Sequence, residues 1–253
     1  MEPLRIAHAL ADAAHDTWQD IQHRRDLDDE VRMGADGTAT TRADALVEAV
    51  MLEAAEAHGV DVLSEEVGRV DHGGDWLAVI DPVDGTRNAG RGIPFFCTSV
   101  AVGRERLSDM QAGVVRNLVT GTTYTAEAGK GALVDSRPVA RRRFDPDDAL
   151  VALIADYADV DTVSDLQRRR WHIRDLGSAA LELCLVGTGG LDAFHVPRDW
   201  LRVIDVAAGT LFVREAGGRV VDPAGGDLDV PFDLSIRHGL TAVHDEAALE
   251  VVL

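Results

Sequence analysis

The chain of 253 residues is 46% hydrophobic and 27% charged, enough to bury one large core or two smaller ones in close contact. Lys+Arg number 25 against 44 Asp+Glu, a net charge of −19, and so acidic a surface repels nucleic acid and anionic membranes. No apolar run approaches the roughly 20 residues of a membrane span, no basic-then-apolar leader is read at the start, and two cysteines, Cys97 and Cys184, make neither a disulfide framework nor a zinc site. A cytoplasmic protein is expected.

Leu4, Ile6, Ala7, Leu10, Ala14, Trp18 and Ile21 recur at helical spacing and predict an amphipathic helix over residues 3–25. The acidic, glycine-containing stretch Asp26–Thr41 reads as a loop. A second helix carries Leu46, Val47, Val50, Met51 and Ala54 and ends at Gly59, and a short strand, Val60–Leu63, runs into Ser64-Glu65-Glu66. Trp76–Ile80 reads as a buried strand that stops at Asp81-Pro82. Cys97–Gly103, Gln111–Arg116 and Thr122–Glu127 predict an antiparallel sheet. The charged segment Arg137–Asp148 marks the boundary between an α+β half, residues 1–136, and an α/β half, residues 137–253. In the second half, strand Leu150–Ala155, a helix from Ser178, strand Leu191–Val196, a helix from Asp205, strands Arg219–Val221 and Leu240–Val243 and a short last helix alternate, as in a layered α/β unit.

The chemistry concentrates in WLAVIDPVDGTRN, Trp76–Asn88. A strand delivering Asp81 and Asp84 into a tight turn can bring two carboxylates to one spot, and their oxygens suit a hard divalent cation such as Mg²⁺. Gly85 lets the backbone approach a ligand closely, and a helix starting near Thr86 would offer free amides to a phosphate. Asp-Pro and Asp-Gly are also common turn pairs, so a purely structural turn competes with this reading. Glu65-Glu66 reads alternatively as a solvated loop. Asp205, set between apolar runs, reads either as a helix N-cap or as a buried ligand.

Five ordered blocks decide between these alternatives. GADGTATTRAD (Gly34–Asp44), LSEEVG (Leu63–Gly68), DPVDGTRN (Asp81–Asn88), GSAALELCLVGTGGLDAF (Gly177–Phe194) and IDVAAGTLFVREAGG (Ile204–Gly218) together resemble the inositol monophosphatase superfamily of Mg²⁺-dependent phosphatases. The likeness is greatest to its archaeal fructose-1,6-bisphosphatase/inositol-1-monophosphatase branch. The resemblance implies a layered αβαβα sandwich of the sugar-phosphatase type with the active site between its halves, and commonly a homodimer. It implies that Glu65, Asp81 and the Val83 carbonyl hold one Mg²⁺ and that Asp81, Asp84 and Asp205 hold a second. Glu65 could help to hold a third, and Mn²⁺ could substitute. Asp44 and Thr86, with Glu65, would activate the attacking water for direct attack on phosphorus, without a covalent phosphoenzyme. The amides of Gly85 and Thr86 would bind the phosphate. Asp84, Ser178, Ala179, Asp205 and Arg198 would contact the rest of a small phosphorylated substrate.

Arg198, seven residues before Asp205, stands where eukaryotic inositol phosphatases carry an acid and would suit a second phosphate; a surface arginine is the plain alternative. Other departures from the family pattern are Ser64 for a glycine, Ile204 for a tryptophan, Arg87 and Ala89 after the DGT, and Arg32 or Arg42 where a lysine is usual. None removes a metal ligand. Asp36 in Asp36-Gly37 reads as a turn residue, the arginine runs 141–143 and 168–170 as solvated charge, and His195, His238 and His244 as structural. Lys130 is the sole lysine. Acid excess with almost no lysine resembles salt-adapted proteins, although a GC-rich genome would also favour arginine over lysine. The expected substrate is fructose 1,6-bisphosphate and/or inositol 1-phosphate. A nucleotide phosphatase acting on 3′-phosphoadenosine phosphate or NADP, and a catalytically silent relative that binds metal and phosphate, are the alternatives.

Overall fold

The computed structural model describes residues 2–252 except 36, 141, 155–157 and 159, so Asp36, Arg141 and the end of the expected strand at Ala155 lie outside the described residues. The first helix, α1 (Pro3–Ile21), buries Ile6, Leu10, Ala14 and Trp18 along one stripe, with Pro3 in its first turn, where a missing N–H costs nothing. The segment expected to be a loop instead forms a hairpin, β1 (Glu30–Met33) and β2 (Ala39–Thr41). Its first strand alternates polar and apolar, Glu30-Val31-Arg32-Met33, but it is only four residues long and exposed throughout, so the pattern is too short to stand out in an acidic, glycine-containing stretch. Helix α2 (Arg42–His58) starts on a capping box between Thr41 and Asp44 and ends on Gly59 in the left-handed conformation.

Strands β3 (Asp61–Ser64), β4 (Gly68–Val70) and β5 (Leu77–Asp84) lead through a short helix, α3 (Thr86–Arg91), into β6 (Cys97–Gly103) and β7 (Ala112–Asn117). Strands β8 (Thr123–Glu127), β9 (Gly131–Val134) and β10 (Arg137–Pro138) follow. They form an eight-stranded sheet in the order β10-β9-β8-β7-β6-β5-β3-β4, antiparallel except for the β3–β5 pair. Beyond it come β11 (Leu150–Leu153), α4 (Val160–Arg168), β12 (His172–Arg174), α5 (Ala179–Gly187) and β13 (Ala193–Leu201). The chain closes with α6 (Val203–Glu215), β14 (Arg219–Val221), β15 (His238–Val243) and α7 (Glu246–Val252). The second sheet runs β12-β11-β13-β15-β14, with β11 parallel to both neighbours.

Alternation along the strands sets the layering. Ala78 and Ile80 of β5 pack with α1 and α2, whereas Leu77 and Val79 face α5 and α6. On the second sheet Phe194, Val196, Leu240 and Ala242 meet the other side of α5 and α6. Val151, Leu153, Ala193 and Val243 point outward against Leu166 of α4 and Ala248 of α7. The result is an αβαβα sandwich. Helices α5 and α6 lie between two sheets and are apolar all round, which is why neither shows an amphipathic stripe.

One expectation is corrected here, and the correction builds the site. Strand β5 does not stop at Asp81-Pro82 but continues to Asp84. Asp81 pairs with Ser99 and Asp84 with Cys97, so three steps on β5 match two on β6. In a regular strand residues three apart face opposite sides of the sheet; the one-residue bulge turns both carboxylates to the same side. Pro82, which has no N–H to give to a ladder, sits inside the bulge.

Helices α5 and α6 approach through glycine. A Cβ on Gly209 would lie 2.6 Å from Leu183 Cβ, and one on Gly187 would lie 2.6 Å from Phe212 Cδ1. Gly209→Ala is predicted to cost about 1–3 kcal/mol by overpacking, read as a lower thermal midpoint in Mg²⁺; an unchanged midpoint would show that the two helices can separate freely.

Candidate active site

A cleft of about 800 Å³ opens where the carboxyl ends of β3 and β5 meet the starts of α2, α3, α5 and α6. Asp44, Glu65, Asp81, Val83, Asp84, Gly85, Thr86, Ser178, Ala179 and Asp205 all line it. Arg198 is exposed on β13 and does not line the cleft, whereas Arg87 and Arg237 do.

Backbone structure fixes each acid. Asp44 is the third residue of α2, and its Oδ2 accepts from the Thr41 hydroxyl at 2.6 Å and from the Thr41 amide at 3.2 Å. Asp205 occupies the third position of α6 rather than its N-cap, and its Oδ2 accepts from the Arg202 amide at 2.6 Å. Asp84 Oδ2 accepts from the Ser178 hydroxyl at 2.6 Å and from the Ala180 amide at 2.8 Å, so the start of α5 holds one of its two oxygens. Cys97 stands behind the same carboxylate, its Sγ 3.6 Å from Asp84 Oδ2, which gives this core cysteine a place against the site.

Gly85 adopts φ +92°, and a Cβ there would sit 3.0 Å from the Gly177 carbonyl and 3.1 Å from Phe96 Cβ. Glycine is required on both counts. It turns the chain into α3, whose first residues, Thr86, Arg87 and Asn88, line the cleft. The Thr86 hydroxyl lies 3.1 Å from Asp44 Oδ1 and 2.8 Å from the Val83 carbonyl oxygen. With one proton, it donates to only one of these at a time. Asn88 ties the turn to the second half of the chain, donating to the carbonyls of Phe95 at 2.8 Å and Leu176 at 2.7 Å.

Gathering these acids raises their proton affinity. Burial pushes Glu65 up to about 8; Arg202 opposes the rise, while Asp205, Asp44 and Glu66 add to it. Asp84 is raised to about 6 by burial, against the Ser178 hydrogen bond and with the Asp205 charge. Asp81 is raised well above the carboxylate range by burial and then by Glu65, Asp84 and Asp205. Burial also raises Asp44, against its bonds to Thr41 and Thr86. Asp81 Oδ1 is buried without a hydrogen-bond donor among the described residues. A buried carboxylate oxygen with no donor, facing three other acids, is the setting a hard cation satisfies, and the all-oxygen donor set suits Mg²⁺.

Several contributors escaped the sequence reading. Glu66 is buried rather than solvated, and accepts from the Thr40 hydroxyl. Asp44, Glu65 and Glu66 each offer an oxygen within 4.8 Å of the others. Ser64, the departure from glycine, donates to buried Glu48 at 2.6 Å, and Arg32 closes the same carboxylate at 2.6 Å, so both serve the structure behind the site. Glu182 lines the cleft, bonds the Leu176 amide at 3.0 Å and is pushed up to about 8 by burial. Arg202 reaches both Glu65 and Asp205. Only its spacing to Asp205, in the string LRVID, hinted at this. Of the histidines, His195 bonds the Thr241 hydroxyl at 2.8 Å and His244 pairs with Asp192 at 3.0 Å, both outside the cleft lining.

Two sheets and three helix layers, with a carboxylate-lined cleft at the junction, define a phosphatase-type fold of the sugar-phosphatase class. The profile of the Inositol monophosphatase family matches residues 2–252, and the chain belongs to that family. The fructose-1,6-bisphosphatase/inositol-1-monophosphatase of Methanothermobacter thermautotrophicus is 34% identical over 255 residues, which cover 94% of this chain and 90% of that protein. A bifunctional NADP phosphatase/NAD kinase of Methanococcus maripaludis is 36% identical over 231 residues, covering 82% of this chain; the match spans 41% of that relative's length. The crystal structure of an inositol monophosphatase–fructose 1,6-bisphosphatase matches with a TM-score of 0.89 at 26% identity, covering 98% of this chain and 97% of the other.

The raised carboxyls predict how the metal-free protein responds to pH. Asp84 and Glu65 hold their protons more tightly folded than unfolded, at about 6 and about 8. Their contribution to stability is therefore complete below the unfolded carboxylate range and is lost as pH rises through about 6 and then about 8. Mg²⁺ favours the ionised form and removes this loss. Thermal midpoints in EDTA and in Mg²⁺ should diverge as pH rises through that window; parallel curves would mean that these acids do not share a cation.

Proposed function

We propose that the chain is a Mg²⁺-dependent phosphomonoesterase hydrolysing a small sugar or polyol phosphate, fructose 1,6-bisphosphate and/or inositol 1-phosphate. The observation that carries the reading is the donorless Asp81 Oδ1 among Glu65, Asp84 and Asp205, beside a Thr86 hydroxyl shared by Asp44 and Val83. Glu65, Asp81, Asp84, Asp205 and the Val83 carbonyl would hold two or three Mg²⁺ ions. When bound, Mg²⁺ supplies Lewis-acid charge that makes water more acidic and offsets the charge of the phosphate.

The chain's own groups do the rest. The Thr86 hydroxyl orients the attacking water and can pass a proton to Asp44 Oδ1 while taking one from the water, because the two oxygens are already 3.1 Å apart. Burial raises the affinity of Asp44 for that proton, which suits it as the base. The amides of Gly85 and Thr86 bind the phosphate oxygens in line with attack. Ser178 and Ala180 hold Asp84 so that its free oxygen faces the cleft. Arg87 and Arg237 stand on the cleft wall where the remainder of the substrate would lie, which supports them ahead of Arg198 for a second phosphate.

NADP as substrate is the second reading, favoured by the 36% identity to the NADP phosphatase/NAD kinase. A silent relative would be expected to lack a ligand, and Asp44, Glu65, Asp81, Asp84, Thr86 and Asp205 are all present. The single lysine and the net charge of −19 support a salt-adapted protein, and two free, buried cysteines support a cytoplasmic one. Family resemblance supports a homodimer, and halves divided at 136/137 that Mg²⁺ draws together.

Phosphate release in high salt with Mg²⁺, from fructose 1,6-bisphosphate, inositol 1-phosphate, 3′-phosphoadenosine phosphate and NADP, each with an EDTA control, tests the reading. EDTA-sensitive release supports it and the ranking of rates assigns the substrate; no release from any of them by folded, Mg²⁺-loaded protein overturns it. Asp84→Asn should abolish turnover. Thr86→Ala should cut turnover by about 10²–10⁴-fold while largely sparing Mg²⁺ affinity; near-normal turnover would remove Thr86 from the mechanism.

A further inference from the structure

Among the described residues, Arg202 is the one cation that pairs with the acidic cluster itself. It precedes Asp205 by three residues and turns its guanidinium inward, leaving the side chain 18% exposed. Nη2 meets Asp205 Oδ1 at 2.8 Å, Nε approaches Asp205 Oδ2 at 3.3 Å, and Nη1 meets Glu65 Oε2 at 2.5 Å. Glu65 follows β3 in the first half of the chain, whereas Arg202 and Asp205 begin α6 in the second, so the guanidinium bridges the halves. Burial works against the charge of Arg202, but Asp205 and Glu65 more than offset it and hold the proton more firmly than usual. Both oxygens of Asp205 and one of Glu65 therefore already face a positive charge that cannot leave.

We propose that Arg202 is a resident cation of the cluster, competing with Mg²⁺ for Asp205 and Glu65 and so setting the Mg²⁺ concentration at which the site fills. The inference rests on the metal-dependent reading above. A carboxylate oxygen can accept from a guanidinium and also ligate an ion, but two positive charges a few ångströms apart repel, so each weakens the other's hold. The guanidinium is tethered one helical turn from Asp205 and needs no diffusional encounter. The same contacts would hold the halves in register at low Mg²⁺ and yield as the ion binds.

The sign of one measurement separates this from a merely structural role. Wild type, Arg202→Gln and Arg202→Lys are kept in Mg²⁺ and the free ion is lowered stepwise with a chelator. The midpoint of Mg²⁺ loss is read by thermal shift and checked by calorimetric titration. Starting from the loaded state gives a midpoint even for a variant that unfolds without the ion. Competition predicts that Arg202→Gln lowers the midpoint roughly tenfold, the worth of a charged hydrogen-bonded pair. Its EDTA thermal midpoint should fall, because Glu65 and Asp205 lose their partner. Arg202→Lys, keeping the charge but not the fork, should lie closer to wild type. A site that Arg202 merely shapes would loosen, and the Arg202→Gln midpoint would rise. A rise, no change, or a Lys variant displaced as far as the Gln variant overturns the proposal. Wild type that binds no Mg²⁺ would instead overturn the metal-dependent reading beneath it.

Discussion

Everything in the cleft follows from one electrostatic constraint: Asp44, Glu65, Asp81, Asp84 and Asp205 are held together with little water around them. Ionised acids so placed repel one another and lose their hydration, and the fold must supply compensation or concede protons. It supplies some. Asp84 has a hydroxyl and an amide from the start of α5, Asp44 has its cap on α2, and Asp205 has the Arg202 amide and guanidinium. Among the described residues, nothing donates to Asp81 Oδ1. The pattern of what is satisfied and what is not shows where an external cation would fit, more sharply than the count of acids does.

The scaffold makes this crowding possible by placing the acids on rigid elements from both halves of the chain. A bulge in β5 turns Asp81 and Asp84 to one side, and the dense glycine-mediated packing of α5 on α6 fixes Ser178 and Asp205 relative to each other. Asn88 clamps the turn after β5 to the Leu176 carbonyl, and Gly177 packs against the same asparagine. Cations shared between Asp81 and Asp205 would add to contacts already formed, since a ligand that binds only the folded state stabilises it.

The layered fold was legible because the buried strands and helices carry strong apolar signals: Leu77–Ile80, Cys97–Gly103 and the stretch from Val203 to Val213 could hardly be anything but core. Glu65, Asp81, Asp84 and Asp205 were legible as a set through the ordered blocks around them. What escaped has physical causes. Strand β1 is four residues long and buries neither face, and β10 is a two-residue edge strand, so neither carries a run long enough to read. The extension of β5 through a proline was hidden because the bulge that tolerates it depends on the partner strand. Glu66 and Ser64 take their roles from Thr40 and Glu48, residues distant in sequence, and no local pattern reports such a partner.

Arg202 shows why a charge in a sequence is hard to read. Exposed arginines such as Arg24 and Arg169 pair with surface acids, Asp26 and Asp165, and contribute little. Arg202 differs in burial and in having two acids from different halves as partners. A chain with a net charge of −19 has few cations to spare. It spends one inside the carboxylate cluster, in a family whose fold gathers acids for metal ions. A neutral side chain of similar length could span the same gap only by leaving Glu65 and Asp205 without their counter-charge. The guanidinium's position on both oxygens of Asp205 makes the balance between internal and external cations a property of this chain, tuned by one residue at the start of α6.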